Sequence, residues 1–249
     1  MGKSIRKAKT AKPSLSFIEY LETNFQNEPP AQKGARTRER LKIATAKILE
    51  TKGYHEMRII DITDSAGLAE GSFYIYFTDK KHASLTALTA FIHDFINYIS
   101  PTGAVHTPFD SIRAANRRWL ALCRANAGLW RCVYQLGDED ADFARLVQET
   151  THSWYLQISE NILSELNNAD GKSVLLAIYF MGSMMEEIVR KLIIFPDLQF
   201  QNLLRSLKAG DDDVADAASL IWMRVFNTGV SLPKGLAPSA ANLAQMMGV

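Results

Sequence analysis

From Thr37 the apolar residues of this chain fall into a helical rhythm. TRERLKIATAKILETKG places Leu41, Ala44, Ile48 and Leu49 on one stripe and Arg38, Lys42 and Lys52 elsewhere, the spacing of a helix that buries one face. Gly53 stands where such a helix takes a C-terminal cap. A shorter helix is predicted over about residues 59–66, with Ile59, Ile62 and Ala66 inward and Gly67 ending it. TDKKHASLTALTAFIHDFINYIS then predicts a long helix that stops before Pro101. Further helices are expected from Asp110 to about residue 125, over GLWRCVYQLG, and over DADFARLVQETTHSWYLQISENILSELNN to about residue 166. KSVLLAIYFMGSMMEEIVRKLIIF, ended by Pro196, and DDDVADAASLIWMRVFN complete the set. The leading acids of the last suit a positive helix N-terminus. With no strand-like alternation and no internal repeat, the expected fold class is all-α.

The same pattern divides the chain. Residues 1–33 read as a basic, flexible N-terminal extension, with five Lys/Arg and no acid before Pro13 and a proline-bearing linker at its end. Residues 34–82 form a small three-helix module, residues 83–231 a larger helical bundle, and residues 232–249 a C-terminal tail. SLSFIEYLETNF, within the extension, has room for one or two amphipathic turns.

Composition narrows the setting. Of 249 residues 47% are hydrophobic and 22% charged, as in ordinary soluble globular proteins. Two cysteines, Cys123 and Cys132, make no disulfide framework, so a cytoplasmic location is expected. The basic N-terminus leads into no signal-like apolar stretch. The apolar run 174–185 stops at Glu186 and Glu187, too short for a bilayer, and no membrane role is expected. Residues 1–82 carry 15 Lys+Arg against 10 Asp+Glu, and the remainder 13 against 17. A basic front and an acidic back direct any polyanion to the N-terminal third. The chain has no CxxC, HExxH, G-x-S-x-G elbow or phosphate-binding glycine loop. Hence no catalysis, no metal and no cofactor are expected.

Residues 67–77 read GLAEGSFYIYF. A short helix, a glycine turn and a second short helix is the pattern of a helix-turn-helix, whose second helix enters the DNA major groove. Gly67 can take the positive φ of a tight turn. Gly71 leaves the first turn of the second helix uncovered, and Ser72 can reach a phosphate or a base edge. Phe73 and Phe77 are expected in the core.

On these residues the stretch from about 37 to 88 resembles the DNA-binding region of the TetR family of transcriptional regulators. The matching features are Gly53–Tyr54, Ile62, Ala66–Gly67, Leu68, Gly71, Ser72, Phe73, Tyr74, Tyr76, Phe77 and Lys80. The resemblance implies a homodimer on double-stranded DNA, at a palindromic operator, with Tyr76 and Lys80 as phosphate contacts and Tyr74 beside them. Thr37 and Arg38 add contacts near the minor groove, Arg58 offers a charged phosphate contact, and Glu70 is placed to accept from a base. Met57 and Arg58 stand where the family has a pair of threonines, and Ala69 stands where a serine would cap the recognition helix.

In the bundle, Trp119, Trp130, Tyr134, Trp154, Tyr155, Phe180 and Met184 either line a pocket for a small apolar or aromatic effector or pack as plain core. The resemblance implies dimerisation through the last two long helices. It also implies a ligand-responsive repressor released from its operator by that effector. The rival readings are an activator or corepressor-dependent regulator and, from another class, a helical small-molecule carrier or enzyme.

Overall fold

The computed structural model describes residues 14–99, 108–164, 170–226 and 235–236, and among these no strand occurs. Helix α1 (Phe17–Asn27) precedes a trio formed by α2 (Lys33–Thr51), α3 (Ile59–Ala66) and α4 (Glu70–Phe73). The chain continues through α5 (Lys80–Ile99), α6 (Pro108–Ala125), α7 (Ala127–Glu139), α8 (Ala141–Leu163) and α9 (Gly171–Val189). A π-helical stretch, Arg190–Ile194, prolongs α9 before α10 (Leu198–Ser206) and α11 (Asp211–Phe226). The fold is all-α, a small N-terminal helix-turn-helix module joined to a larger helical bundle.

The predicted stripe of α2 is buried at Leu41, Ala44 and Leu49, where it meets Ile62, Phe73 and Phe77. The same core runs on through Ala83, Leu88 and Phe91 of α5 to Leu129 and Leu136 of α7. Module and bundle therefore share packing, and a displacement in one is felt by the other because close-packed interiors transmit strain. At the far end, the buried carboxylate of Asp216 on α11 receives forked hydrogen bonds from Arg113 (2.7 and 2.7 Å) and Arg117 (3.0 and 3.0 Å) of α6. Asn116 adds a bond to Ser219 at 2.9 Å. The buried Asp216 charge is thus paired, as burial requires.

Several expectations need correction. Residues 17–27 are not a flexible extension. Phe17 and Leu21 are buried, and the Phe17 N–H donates to Asn126 Oδ1 at 2.8 Å. Asn126 Nδ2 in turn donates to Leu15 O at 2.7 Å, and the Phe17 ring meets Phe91 edge-on. The period of α1 was visible in the sequence, but its partner lies more than a hundred residues away. Helix α10 was not anticipated, although Asp197 after Pro196 caps it by accepting from Gln199 and Phe200 N–H. Helix α6 begins at Pro108, two residues before the expected cap. Residues 1–13, the expected helix end before Pro101, residues 165–169 and all but two residues of the C-terminal tail lie outside the described residues. Of that tail, Gly235 O accepts from Arg113 at 3.0 Å and Leu236 packs near Phe109.

Candidate DNA interface and ligand cavity

The turn after α3 is built as the sequence demands. Gly67 has φ +63°, and its N–H and that of Leu68 bond back to Asp64 and Thr63 carbonyls at 3.0 Å. The Arg40 guanidinium donates to the Ala66 carbonyl and pins the end of α3. Helix α4 starts at Glu70 with no side-chain cap from Ala69, and lasts only four residues. Tyr76 and Phe77 N–H both return to the Phe73 carbonyl, so the chain tightens there. Phe73 and Phe77 are buried with ring centroids 5.6 Å apart. Anchored by them, the segment turns Glu70, Gly71, Tyr74 and Ile75 outward, and Ser72 is half-buried. A Cβ at Gly71 would meet nothing within 4 Å, so the backbone there is open to close approach.

Around this face the expected contacts divide. Tyr74 is 56% exposed. Tyr76 is half-buried, with its hydroxyl beside Gly34 in the first turn of α2. Thr37 Oγ1 donates to Lys33 O at 3.1 Å, and the exposed Arg38 lies with its guanidinium over the Phe77 ring, 5.3 Å from the centroid. Arg58 is exposed and reaches Asp61 at 3.5 Å. The Asp61 carboxyl is held down to about 2, chiefly by Lys52 and then by the Arg58 N–H. The buried neighbour of Arg58, Met57, is core.

Lys80 is the exception. Its ammonium donates to the carbonyls of Tyr54 (3.1 Å), His55 (3.3 Å) and Met57 (3.1 Å), and sits over the Tyr54 ring. All three donors serve the module, so in this structure Lys80 braces the α2–α3 connection and is not presented to a phosphate. The left-handed Gly53 (φ +80°) bends that connection and leaves the carbonyls without helical partners.

Ile75, absent from the contacts that the resemblance implies, is 74% exposed at the centre of the face. Its signal was its register, since it lies between the two phenylalanines that set the buried side. Residues 43–82, which contain α3, the turn at Gly67 and α4, match the family model described as bacterial regulatory proteins, tetR family. This segment of the chain is similar to the helix-turn-helix of that family.

A relative from Bacillus subtilis (strain 168), the uncharacterized HTH-type transcriptional regulator YdgC, is 26% identical over 114 residues, 46% of this chain and 54% of the relative. The chain thus spans about half the length of that relative. Among solved structures, one from Mesorhizobium loti MAFF303099, assigned to the TetR family, aligns at TM-score 0.59 and 16% identity, over 78% of this chain and 98% of the other. The fatty acid degradation regulator FadR of Bacillus halodurans aligns at 0.54 and 16%, over 74% and 93%. FadR of Bacillus subtilis, solved with stearoyl-CoA, aligns at 0.50 and 17%, over 77% and 98%. These likenesses speak to the fold.

In the bundle a cavity of about 300 Å³ opens among α5, α6, α7, α8 and α9. Trp119, Trp130, Tyr134 and Trp154 line it, as expected. Trp119 stacks on Trp154 at 5.5 Å and meets Trp130 at 5.8 Å. The other three expected residues do not line it. Tyr155 is buried behind the wall, Met184 packs half-buried in the core, and Phe180 is 63% exposed on the outer face of α9. Phe180 points away because Ile178, Gly182 and Met185 claim the inner face.

Glu186, which ends the apolar run of α9, also lines the cavity. Its Oε1 accepts from the Tyr155 hydroxyl at 2.7 Å. Burial raises the Glu186 carboxyl above the usual range, and the tyrosine bond partly opposes this. The Tyr134 hydroxyl is pushed up to about 12 by burial and then by the Glu186 charge. Gly182 makes the bond to Tyr155 geometrically available, since a Cβ there would lie 2.1 Å from the tyrosine oxygen.

Proposed function

We propose that the protein is a cytoplasmic transcriptional regulator that binds a palindromic operator in double-stranded DNA as a homodimer and is a repressor. A small apolar or aromatic effector in the cavity releases it. One observation carries the reading: the cavity wall and the helix-turn-helix module are joined through α5 and α7. Helix α5 braces the module through Lys80 at one end and supplies Ile92 to the cavity wall. Helix α7, which supplies Trp130, Val133, Tyr134 and Gly137 to that wall, is clamped to the end of α2. There the Glu50 carboxylate accepts from the Gly128 and Leu129 N–H groups at 3.0 and 2.9 Å. Expansion of the cavity would therefore tilt α2 and its module, changing the spacing of the two recognition segments relative to successive major grooves, about 34 Å apart. An effector acts only as far as it binds the two spacings unequally.

At the DNA face, Gly71, Ser72, Tyr74 and Ile75 meet base edges and sugar–phosphate, with Glu70 at the groove entrance. Tyr76, Thr37, Arg38 and Arg58 serve the backbone. The dimer forms through α9 and α11. Leu176, Tyr179 and Phe180 project from α9 at helical spacing, and Val225 projects from α11, a combination that leaves apolar surface for a partner. Among the described residues no helix is long and apolar enough to cross a membrane.

The test is a gel shift of the purified chain on the intergenic DNA flanking its gene. Tyr76→Ala should abolish a shift that the wild type gives, and an unshifted wild type would sink the regulator reading in favour of a carrier.

A further inference from the structure

The charge of the cavity sets the kind of effector it can accept. Among the described residues its charged lining residues are Asp138 and Glu186, and none of them is a lysine, arginine or histidine. The two cations just beyond α9 pair with another carboxylate. Arg190 is forked onto Glu187 at 2.6 and 2.7 Å, and Lys191 reaches the same carboxylate at 3.4 Å. Arg131 of α7 donates to the Ile194 carbonyl. Burial disfavours a charged carboxylate at 186, and a ligand cation would add a counter-charge to the Tyr155 hydrogen bond. The remaining wall carries three indole rings and one phenol, whose negative faces attract cations, most strongly those with a weakly hydrated charge. An anionic ligand such as a thioester of a nucleotide phosphate would instead meet two carboxylates and no counter-charge.

We propose that the cavity selects a compact organic cation, an aromatic or alkyl-substituted ammonium, held by Glu186 against the rings of Trp119, Trp130, Tyr134 and Trp154. Tyr155 is a positioning residue. It fixes the Glu186 carboxylate by its hydroxyl bond, and Gly182 gives it the room to do so. The proposal rests on the cavity being the effector site.

Calorimetric titration of the purified full chain with N-methylisoquinolinium, neutral isoquinoline and anionic 1-naphthoate tests it. The cation should bind about tenfold or more tighter than the neutral ring, and the anion weakest. Glu186→Gln keeps an acceptor for Tyr155. It should cut cation affinity about tenfold while leaving the neutral ring within about twofold. Equal affinities for cation and neutral ring in the wild type, a comparison that needs no variant to fold, would overturn the charge selection and leave the effector cavity standing. No heat and no tryptophan quenching with any of the three would overturn both.

Discussion

Gly128 offers a test whose outcome differs in sign between competing accounts. In an ordinary helix, replacing glycine by alanine stabilises by about 1 kcal/mol. Here a Cβ at residue 128 would lie 2.0 Å from the Glu50 carbonyl oxygen, 2.6 Å from its carbon and 2.7 Å from its Cα. All three are backbone atoms of α2 and cannot rotate aside. Ordinary contact is about 3.5 Å, so α7 would have to retreat by roughly 1.5 Å. That retreat breaks the two bonds from Gly128 and Leu129 N–H to the Glu50 carboxylate, now 3.0 and 2.9 Å. Bonds to charged groups contribute about 1.5–3 kcal/mol each. Part of that loss is recovered by water and by the better helix former, which leaves a net destabilisation of about 2–4 kcal/mol. For a chain of this size the melting temperature should fall by about 5–15 °C in a calorimetric scan of Gly128→Ala. A rise would refute the close α2–α7 contact and, with it, the route from cavity to DNA face.

Other substitutions separate the roles assigned at the DNA face. Ile75→Ala should leave thermal stability unchanged, because the side chain is exposed, and should relax base preference at one operator position by about 1–3 kcal/mol in competition binding. Undiminished discrimination would remove Ile75 from the interface. Lys80→Met should lower stability by about 2–3 kcal/mol in denaturant titration while leaving the salt slope of DNA binding unaltered. A slope reduced by about 1 with unchanged stability would restore it to the phosphate contacts. The Asp61 carboxyl, depressed from 3.8 to about 2 by Lys52 and the Arg58 N–H, contributes stability that is fully present above pH 3.8 and is lost as pH falls through about 2. Asp61→Asn should flatten that part of the stability curve, and an identical acid limb would show the bonds to be unimportant.

How much of this could be read from sequence depends on the range of the interaction. The turn at Gly67, the anchors Phe73 and Phe77, and the buried stripe of α2 are local consequences of glycine φ and of the helical period, so the sequence reveals them. The same holds for three tryptophans and Tyr134 at the cavity, where large rings at helical spacing faced inward. Phe180 misled because α9 is apolar on several sides, and periodicity alone does not say which side faces a neighbour. Lys80 misled for another reason: its partners are carbonyls of a bend some twenty-five residues earlier, visible only once Gly53 has turned the chain. The docking of α1 by Asn126, the Asp216 fork and the Glu50 clamp are likewise long-range polar contacts that leave no period in the sequence.

The central claim is that residues 67–77 of each subunit in a dimer read one half of an operator. Hydroxyl-radical footprinting of the purified chain on its flanking intergenic DNA measures this most directly. The account predicts two protected patches related by a dyad, centred about 34 Å apart on one face of the duplex and lost with Tyr74→Ala and Ile75→Ala together. A single patch without symmetry, or uniform protection unaffected by those substitutions, would contradict it.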